Sequence, residues 1–504
     1  MRRAGILLHP TSLPGPFGIG DLGSATDAFL DWAAVAGATV WQVLPLGPVG
    51  ERSHSPYDGI SAFAGNPLLI SPERLVVDGL LSPSALDEAP GFAAERVDYP
   101  AVRAWKERLL EEAWQRFRRH GTSATRERLR AFAADTRRAP WLADWELFCA
   151  LKRRYDGAPW NAWPSALARR EPAALAEARE ELTAETGFHR FVQFLFFSQW
   201  ARVHGTASRR GLRILGDVPI YVAHDSADVW AHRELFDLDE DGRPQHVAGV
   251  PPDYFCPAGQ RWGNPLYRWD RMASDGYEWW VSRLRGNLEL TDLVRIDHFR
   301  AFAAYWEVPA DQPDARAGRW APGPGLPFFA ALRRGVGGLP IVAEDLGVIT
   351  SDVEALRDTV GLPGMRVLQF AFDEDNSSHL PHRHRARSVV YTGTHDNDTT
   401  GGWYATLSRE ARARFRDYLG SRGQEPHWDL VRAACTSAAE LAVLPLQDLL
   451  GLGSTARMNR PGEVKGNWEW RLLPDQLTGV APRLRRLLEV SGRLPKPVPE
   501  DDSP

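Results

Sequence analysis

Leu293-Val294-Arg295-Ile296-Asp297-His298 is a short apolar run that ends on an acid. Its branched aliphatics read as a strand buried on both faces, the pattern of a parallel sheet. Two further runs end the same way. Ile341-Val342-Ala343 leads into Glu344, and Ser388-Val389-Val390-Tyr391 leads into Thr394-His395-Asp396-Asn397-Asp398. In parallel barrels the chemistry sits at the C-terminal ends of strands. One such acid could be a strand-end cap. Three of them, on three strands, predict an active site.

Similar runs recur along the chain, at Gly5–Leu8, Val40–Leu46, Leu212–Val218, Arg366–Phe372 and Ala456–Asn459. With the three acid-bearing runs they make eight candidate strands separated by helical patterns. Strand–helix alternation predicts parallel βα units, and eight of them predict an α/β fold of the (β/α)8 TIM-barrel type. We read residues 1–490 as one catalytic barrel. A long insertion, roughly residues 50–210, separates the second and third candidates. Ala101–Arg119, Arg126–Thr136, Leu142–Tyr155 and Phe188–His204 within it show apolar spacing of three to four residues, so mainly helical subdomains are expected there. Residues 248–270, rich in Pro, Gly and aromatics, predict a lid-like loop. Residues 491–504 are polar and Pro-containing, and predict a poorly ordered tail.

Composition narrows the class. The chain has 504 residues, 43% hydrophobic and 25% charged, as in an ordinary globular protein. The net charge of −5 is spread out, without the basic patch of a nucleic-acid surface. No stretch reaches the length of a membrane span. The first residues, Met1-Arg2-Arg3 and a brief apolar run to His9-Pro10, read as a first strand rather than a leader. Three sparse cysteines, Cys149, Cys256 and Cys435, do not make a disulfide framework, and a cytoplasmic home is expected. Twenty tryptophans are many for this length. Most should be packing; others could offer flat faces to sugar rings.

On a strand, residues two apart share a face, so Arg295 and Asp297 point into the barrel together. The guanidinium should favour the ionised carboxylate, as a nucleophile requires. A buried structural ion pair would look the same in sequence. Glu344 sits among aliphatics, which should raise its pKa toward that of a general acid. Asp345 faces the other way and should cap the strand or pair with a barrel arginine. One carboxylate beside a cation and one beside aliphatics is the pattern of retaining glycoside chemistry. His379, His382 and His384 lie close together; no carboxylate completes a metal site there, and a solvated loop is the plainer reading. There is no P-loop or dinucleotide fingerprint. Neither metal nor cofactor is expected.

The motifs Arg295–Arg300 (RIDHFR), Glu344–Gly347 (EDLG) and Thr394–Asp398 (THDND) resemble those of the amylomaltases. These are the disproportionating 4-α-glucanotransferases of the wider α-amylase clan. Ser55-Pro56-Tyr57 with Ser61–Pro67, Gly216–Val222, Gly249–Phe255 and Arg457-Met458-Asn459 agree, in family order. The resemblance runs from about His9 to Trp470. It implies Asp297 as nucleophile, Glu344 as acid/base and Asp396 as transition-state stabiliser. It implies that Tyr57, Asp217, Arg295, His298 and His395 line the donor-sugar site, and that Tyr254 and Trp262 lie in a loop over the cleft. Asn459 and Asn467 would add to the substrate-binding set. Ala301 and Asp58 depart from the expected pattern, and neither removes a catalytic group. The implied substrates are maltooligosaccharides and glucans derived from starch or glycogen. A hydrolase with the same acids, or a glucan-binding protein on a dead barrel, are the alternatives.

Overall fold

Every apolar run that leads into an acid forms a strand, and all three strands belong to one barrel. The computed structural model describes residues 2–50, 53–252, 257–373, 377–463 and 465–495. Twelve strands occur among them: β1 (Arg3–Leu7), β2 (Val40–Gln42), β3 (Arg213–Val218), β4 (His246–Val250), β5 (Gln260–Pro265), β6 (Leu293–Ile296), β7 (Ala304–Pro309), β8 (Arg319–Pro322), β9 (Ile341–Ala343), β10 (Gly364–Val367), β11 (Ser388–Tyr391) and β12 (Leu441–Pro445).

Eight of these form a parallel sheet in the order β10-β11-β12-β1-β2-β3-β6-β9. The ends meet where the Ala343 amide donates to the Pro363 carbonyl at 2.9 Å. The Met365 amide completes the seam by donating to Asp345 Oδ1 at 2.6 Å. The strands are buried on both faces, which is why they carry continuous apolar runs. Close strand packing also selects residue size. A Cβ on Gly5 of β1 would stand 2.9 Å from Val40 Cβ on β2.

Seven of the eight expected strands are in the barrel. The eighth is Leu441–Pro445, not Ala456–Asn459. Leu441 to Pro445 are all buried and pair with both β11 and β1. Ala456 ends a short 3-10 turn instead, and Arg457–Asn459 run on as irregular chain over the barrel mouth. A run of Leu and Ala with one Val has no strand signature of its own; tertiary pairing makes it a strand.

Between β2 and β3 the chain is mainly helical, with long helices at Tyr99–His120, Ser123–Ala134, Ala139–Arg154 and Thr183–Arg209. The last inserts Phe191, Phe196 and Trp200 into the core, and the Trp200 indole donates to the Leu290 carbonyl at 2.8 Å. The stretch expected as a lid-like loop, residues 248–270, holds the end of β4 and all of β5. β4 and β5 form an antiparallel hairpin that continues through β7 to β8. Pro251 and Pro252 end β4's pairing, since neither has an N–H to offer the ladder. Residues 253–256, with Tyr254 and Cys256, lie outside the described residues. The expected tail also starts too early at Ser491. Arg493 is fully buried and donates to the carbonyls of Cys435, Arg3 and Ala439, so the chain stays docked there. Residues 496–504 lie outside the description.

Candidate active site

Asp217 and Arg295 are opposite each other in the β3–β6 register. Arg295 Nη1 donates to both carboxylate oxygens of Asp217 at 2.8 Å, while Nη2 donates to Asp297 Oδ1 at 2.8 Å. Arg295 and Asp217 are buried; the Asp297 side chain is 30% exposed and faces the cleft. The charge that pairs with Asp297 is thus locked from behind by a second carboxylate. Burial, opposed by Arg295, leaves Asp217 above the ordinary carboxylate range.

The chain turns sharply after Asp297. His298 is left-handed, with φ of 51°, a conformation uncommon outside glycine. That turn aims the His298 amide at β9, where it donates to Glu344 Oε2 at 2.6 Å. The Leu346 amide donates to the other oxygen, Oε1, at 2.9 Å. Glu344 is therefore fixed relative to Asp297 through the intervening peptide. Burial, reinforced by the Asp297 charge, pushes the Glu344 carboxyl up to about 8. Such strain at a non-glycine residue persists only where the surroundings hold it, often at functional sites.

Asp396 is built differently. His395 Nε2 lies 3.3 Å from its Oδ1, and Asn459 Nδ2 donates to the same oxygen at 2.6 Å. Its place in the site opposes ionisation, yet His395 and Asn459 hold the carboxyl well below the ordinary range. His395 is correspondingly raised: burial pulls it down, but Asp396 overrides that. The His395 ring stacks on Tyr57, with centroids 4.8 Å apart, and the Tyr57 hydroxyl donates to Asp217 Oδ2 at 2.8 Å. Tyr57 thereby ties the Asp217–Arg295–Asp297 chain to the His395–Asp396 pair. Trp468 stands against both rings.

Tyr57, Asp297, His395, Asp396, Asn459 and Trp468 line a cleft of about 370 Å³, within the usual range for a ligand site. Trp262, on β5, is 37% exposed and meets His298 edge to face at 4.8 Å. Burial lowers His298 to about 4, so its ring is neutral at physiological pH. Asn467 lines the cleft, but its amide is engaged by its own loop. Its Oδ1 accepts from the Arg460 amide and its Nδ2 donates to the Glu463 carbonyl. Tyr254 falls outside the described residues. Of the expected residues, the structure brings together Tyr57, Asp217, Trp262, Arg295, Asp297, His298, Glu344, His395, Asp396 and Asn459.

Two contributors escaped the sequence reading. Arg457 Nη2 donates to the Asp396 carbonyl at 2.6 Å; its only signal was the Arg457-Met458-Asn459 motif. His9, buried beside His395 and lowered to about 3 mainly by burial, had no signal beyond its strand-end place. Asp345 behaves as expected and bonds Arg357, with Arg366 at 3.6 Å. The three clustered histidines do not converge. His379 accepts from the Val367 amide, His382 meets the Tyr418 hydroxyl, and His384 is buried against the His379 carbonyl rather than solvated.

The sequence profile of glycoside hydrolase family 77, 4-alpha-glucanotransferase, matches residues 8–477. The chain belongs to that 4-alpha-glucanotransferase family. It is 52% identical to the 4-alpha-glucanotransferase of Thermus thermophilus over 98% of this chain and 99% of that one. It is 46% identical to the chloroplastic/amyloplastic 4-alpha-glucanotransferase of Solanum tuberosum, over 98% of this chain and 87% of the relative. Amylomaltase from Streptococcus agalactiae, solved in complex with acarbose, superposes with a TM-score of 0.95 at 35% identity, covering 98% of this chain and all of that one. The expected 4-alpha-glucanotransferase activity and the (β/α)8 barrel are therefore the chain's own, and the hydrolase alternative is not favoured. Retaining chemistry through a covalent intermediate fits the family. Among the described residues, no helix is long and apolar enough to cross a membrane.

Proposed function

We propose that this 4-alpha-glucanotransferase works with Asp297 as nucleophile, Glu344 as acid/base and Asp396 as stabiliser. Asp297 attacks the anomeric carbon of an α-1,4-linked donor, and the glycosidic C–O bond breaks as Glu344 gives its proton to the leaving 4-oxygen. The shortened glucan leaves and a glycosyl ester on Asp297 remains. An acceptor then presents its own 4-hydroxyl. Glu344, now a base, takes the hydroxyl proton, the new glycosidic bond forms, and Asp297 is released with net retention.

One observation carries this reading: the His298 peptide couples two carboxyls placed in opposite surroundings. Asp297 faces a guanidinium, suited to a nucleophile. Glu344 is buried, held by backbone amides and kept protonated near neutral pH, suited to an acid. Asp396, ionised between His395 and Asn459, faces the charge that develops on the sugar ring. Tyr57, Trp262 and His298 supply the ring surfaces around the cleft, and Asp217 and Arg295 fix the nucleophile.

The substrates we assign are maltooligosaccharides and longer glucans of starch or glycogen origin. Free thiols at Cys149 and Cys435 support a reducing, cytoplasmic home. Incubation with maltotriose alone tests the reading. Glucose together with maltotetraose and longer products is expected, and activity should survive a chelator. Products limited to glucose and maltose would mean that water, not sugar, accepts the glycosyl group.

A further inference from the structure

A second cavity, of about 220 Å³, lies away from the catalytic cleft. It opens at the start of β10 and β11, where Gly364 and Ser388 are register partners. That is the N-terminal end of these strands, opposite the end from which His395 and Asp396 follow β11. Its walls carry four arginines, Arg357, Arg366, Arg385 and Arg387, against one carboxylate, Asp358. Asp345 stands behind them and pairs with Arg357 and Arg366. Arg357 also reaches Asp358 at 2.7 Å, and Arg385 reaches it at 3.2 Å. Arg387 makes no ion pair among the described residues. Four guanidinium groups thus share two carboxylates, which leaves two positive charges unmatched around one opening.

We infer that this cavity binds a phosphate-bearing small molecule. Guanidinium forks match the oxygens of a phosphate, and such charge-assisted bonds are the strong ones. The walls are built rather than merely charged. Arg357 is buried, Arg366 is nearly so, and Arg366 is fixed by donating to the Met365 carbonyl at 2.6 Å. Arg385 and Arg387 stay exposed at the mouth, Arg385 held only by its surface pair with Asp358, so both can turn toward an anion. The volume decides the size class. It falls below the ~300 Å³ from which drug-sized pockets start, so it suits a phosphate group or a small phosphate ester, not a nucleotide.

The site also lies one step from the chemistry. The two inner arginines are those that hold Asp345, the residue after Glu344. An anion drawing on Arg357 and Arg366 competes with Asp345 for them. It therefore bears on the ion pairs that fasten the β9–β10 seam.

Titration calorimetry on the full-length protein at low ionic strength tests this, with inorganic phosphate, glucose 1-phosphate and glucose as separate ligands. Saturable binding of one phosphate-bearing ligand per chain is expected, with none of glucose outside the catalytic cleft. Arg385→Gln/Arg387→Gln, both surface positions, should weaken that binding at least ~10-fold, the scale of one or two lost charge-assisted bonds. Maltotriose turnover without phosphate should stay at the wild-type level. Glucose 1-phosphate binding clearly tighter than inorganic phosphate would assign the site to a sugar phosphate; equal affinities would assign it to the oxyanion alone. Absence of saturable phosphate binding, or unchanged affinity in the double variant, would overturn the proposal.

Discussion

Glu344 and Asp345 are consecutive carboxylates at the tip of β9, and they face opposite ways. Burial raises both. Their neighbours separate them. Glu344 has the like charge of Asp297 nearby, which raises it further; Arg295 and the two backbone amides pull it back only in part. Asp345 meets the Met365 amide, Arg357 and Arg366, which pull it back. One side of the strand tip therefore holds a proton at neutral pH, ready to give away. The other side holds a charge that fastens the barrel seam. Strand alternation alone assigns the two roles, because a step of one residue exchanges the two faces.

The widest test of that contrast is mutational. Glu344→Gln should cut maltotriose turnover by at least ~100-fold, since it removes general acid and base together. Circular dichroism should show a folded protein. Asp345→Asn should do the reverse. It leaves Arg357 buried with its charge half matched, a loss on the order of 3–5 kcal/mol in unfolding free energy where such pairs are buried. Turnover per folded molecule should hardly move. Equal loss of activity in both variants would erase the division of labour between the two faces.

A pH profile sharpens the same comparison with a smaller effect. In the proposed mechanism Glu344 must be protonated to start the donor step. With its carboxyl raised to about 8, the competent form prevails below that pH and is lost as pH rises through it. The maltotriose kcat/KM should therefore hold through neutrality and fall about tenfold per unit above the limb. A profile already falling between pH 5 and 6 would mean that the pocket does not hold the Glu344 proton.

The sequence made the same distinction legible, and it is clear where it stopped. Asp297, Glu344 and Asp396 each followed an apolar run, so both strand and acid could be read together. Asp345 could be set aside by alternation. β12 could not be read, because Leu441-Ala442-Val443-Leu444-Pro445 has no acid at its tip and only one of the branched residues that mark a strand. The sheet of β4, β5, β7 and β8 was hidden for another reason. β5 and β8 are largely exposed, so their residues carry no apolar alternation, and Pro251, Pro252 and Gly249 read as loop. Arg457 and His9 reach the site through tertiary folding, from segments whose local pattern says nothing about Asp396 or His395.

The smallest expected effect concerns which acceptor wins, and it tests whether the β4–β5 hairpin belongs to the chemistry as the β9 tip does. Trp262 sits on β5, packs edge to face on His298, and leaves over a third of its surface open to the cleft. His298 is the residue whose amide holds Glu344. The indole thus braces the ring of the residue that joins the two proposed catalytic carboxyls, and its exposed face is where an incoming sugar ring can stack. The glycosyl ester proposed on Asp297 can be taken by a sugar 4-hydroxyl or by water. A sugar wins only while its local occupancy is high and water is excluded. Trp262→Ala removes the stacking face and widens the cleft, yet leaves Arg295, Asp297 and the Glu344 amide bonds in place. Donor cleavage should fall only a few-fold, while hydrolysis gains on transfer by roughly tenfold, the value of about 1.4 kcal/mol of lost acceptor binding. Glucose release by water and transfer to labelled glucose, measured in one reaction with maltotriose, give the ratio directly. A ratio equal to that of the unaltered protein would make Trp262 a packing residue for the His298 turn, and the preference for sugar over water would then rest on the barrel mouth itself.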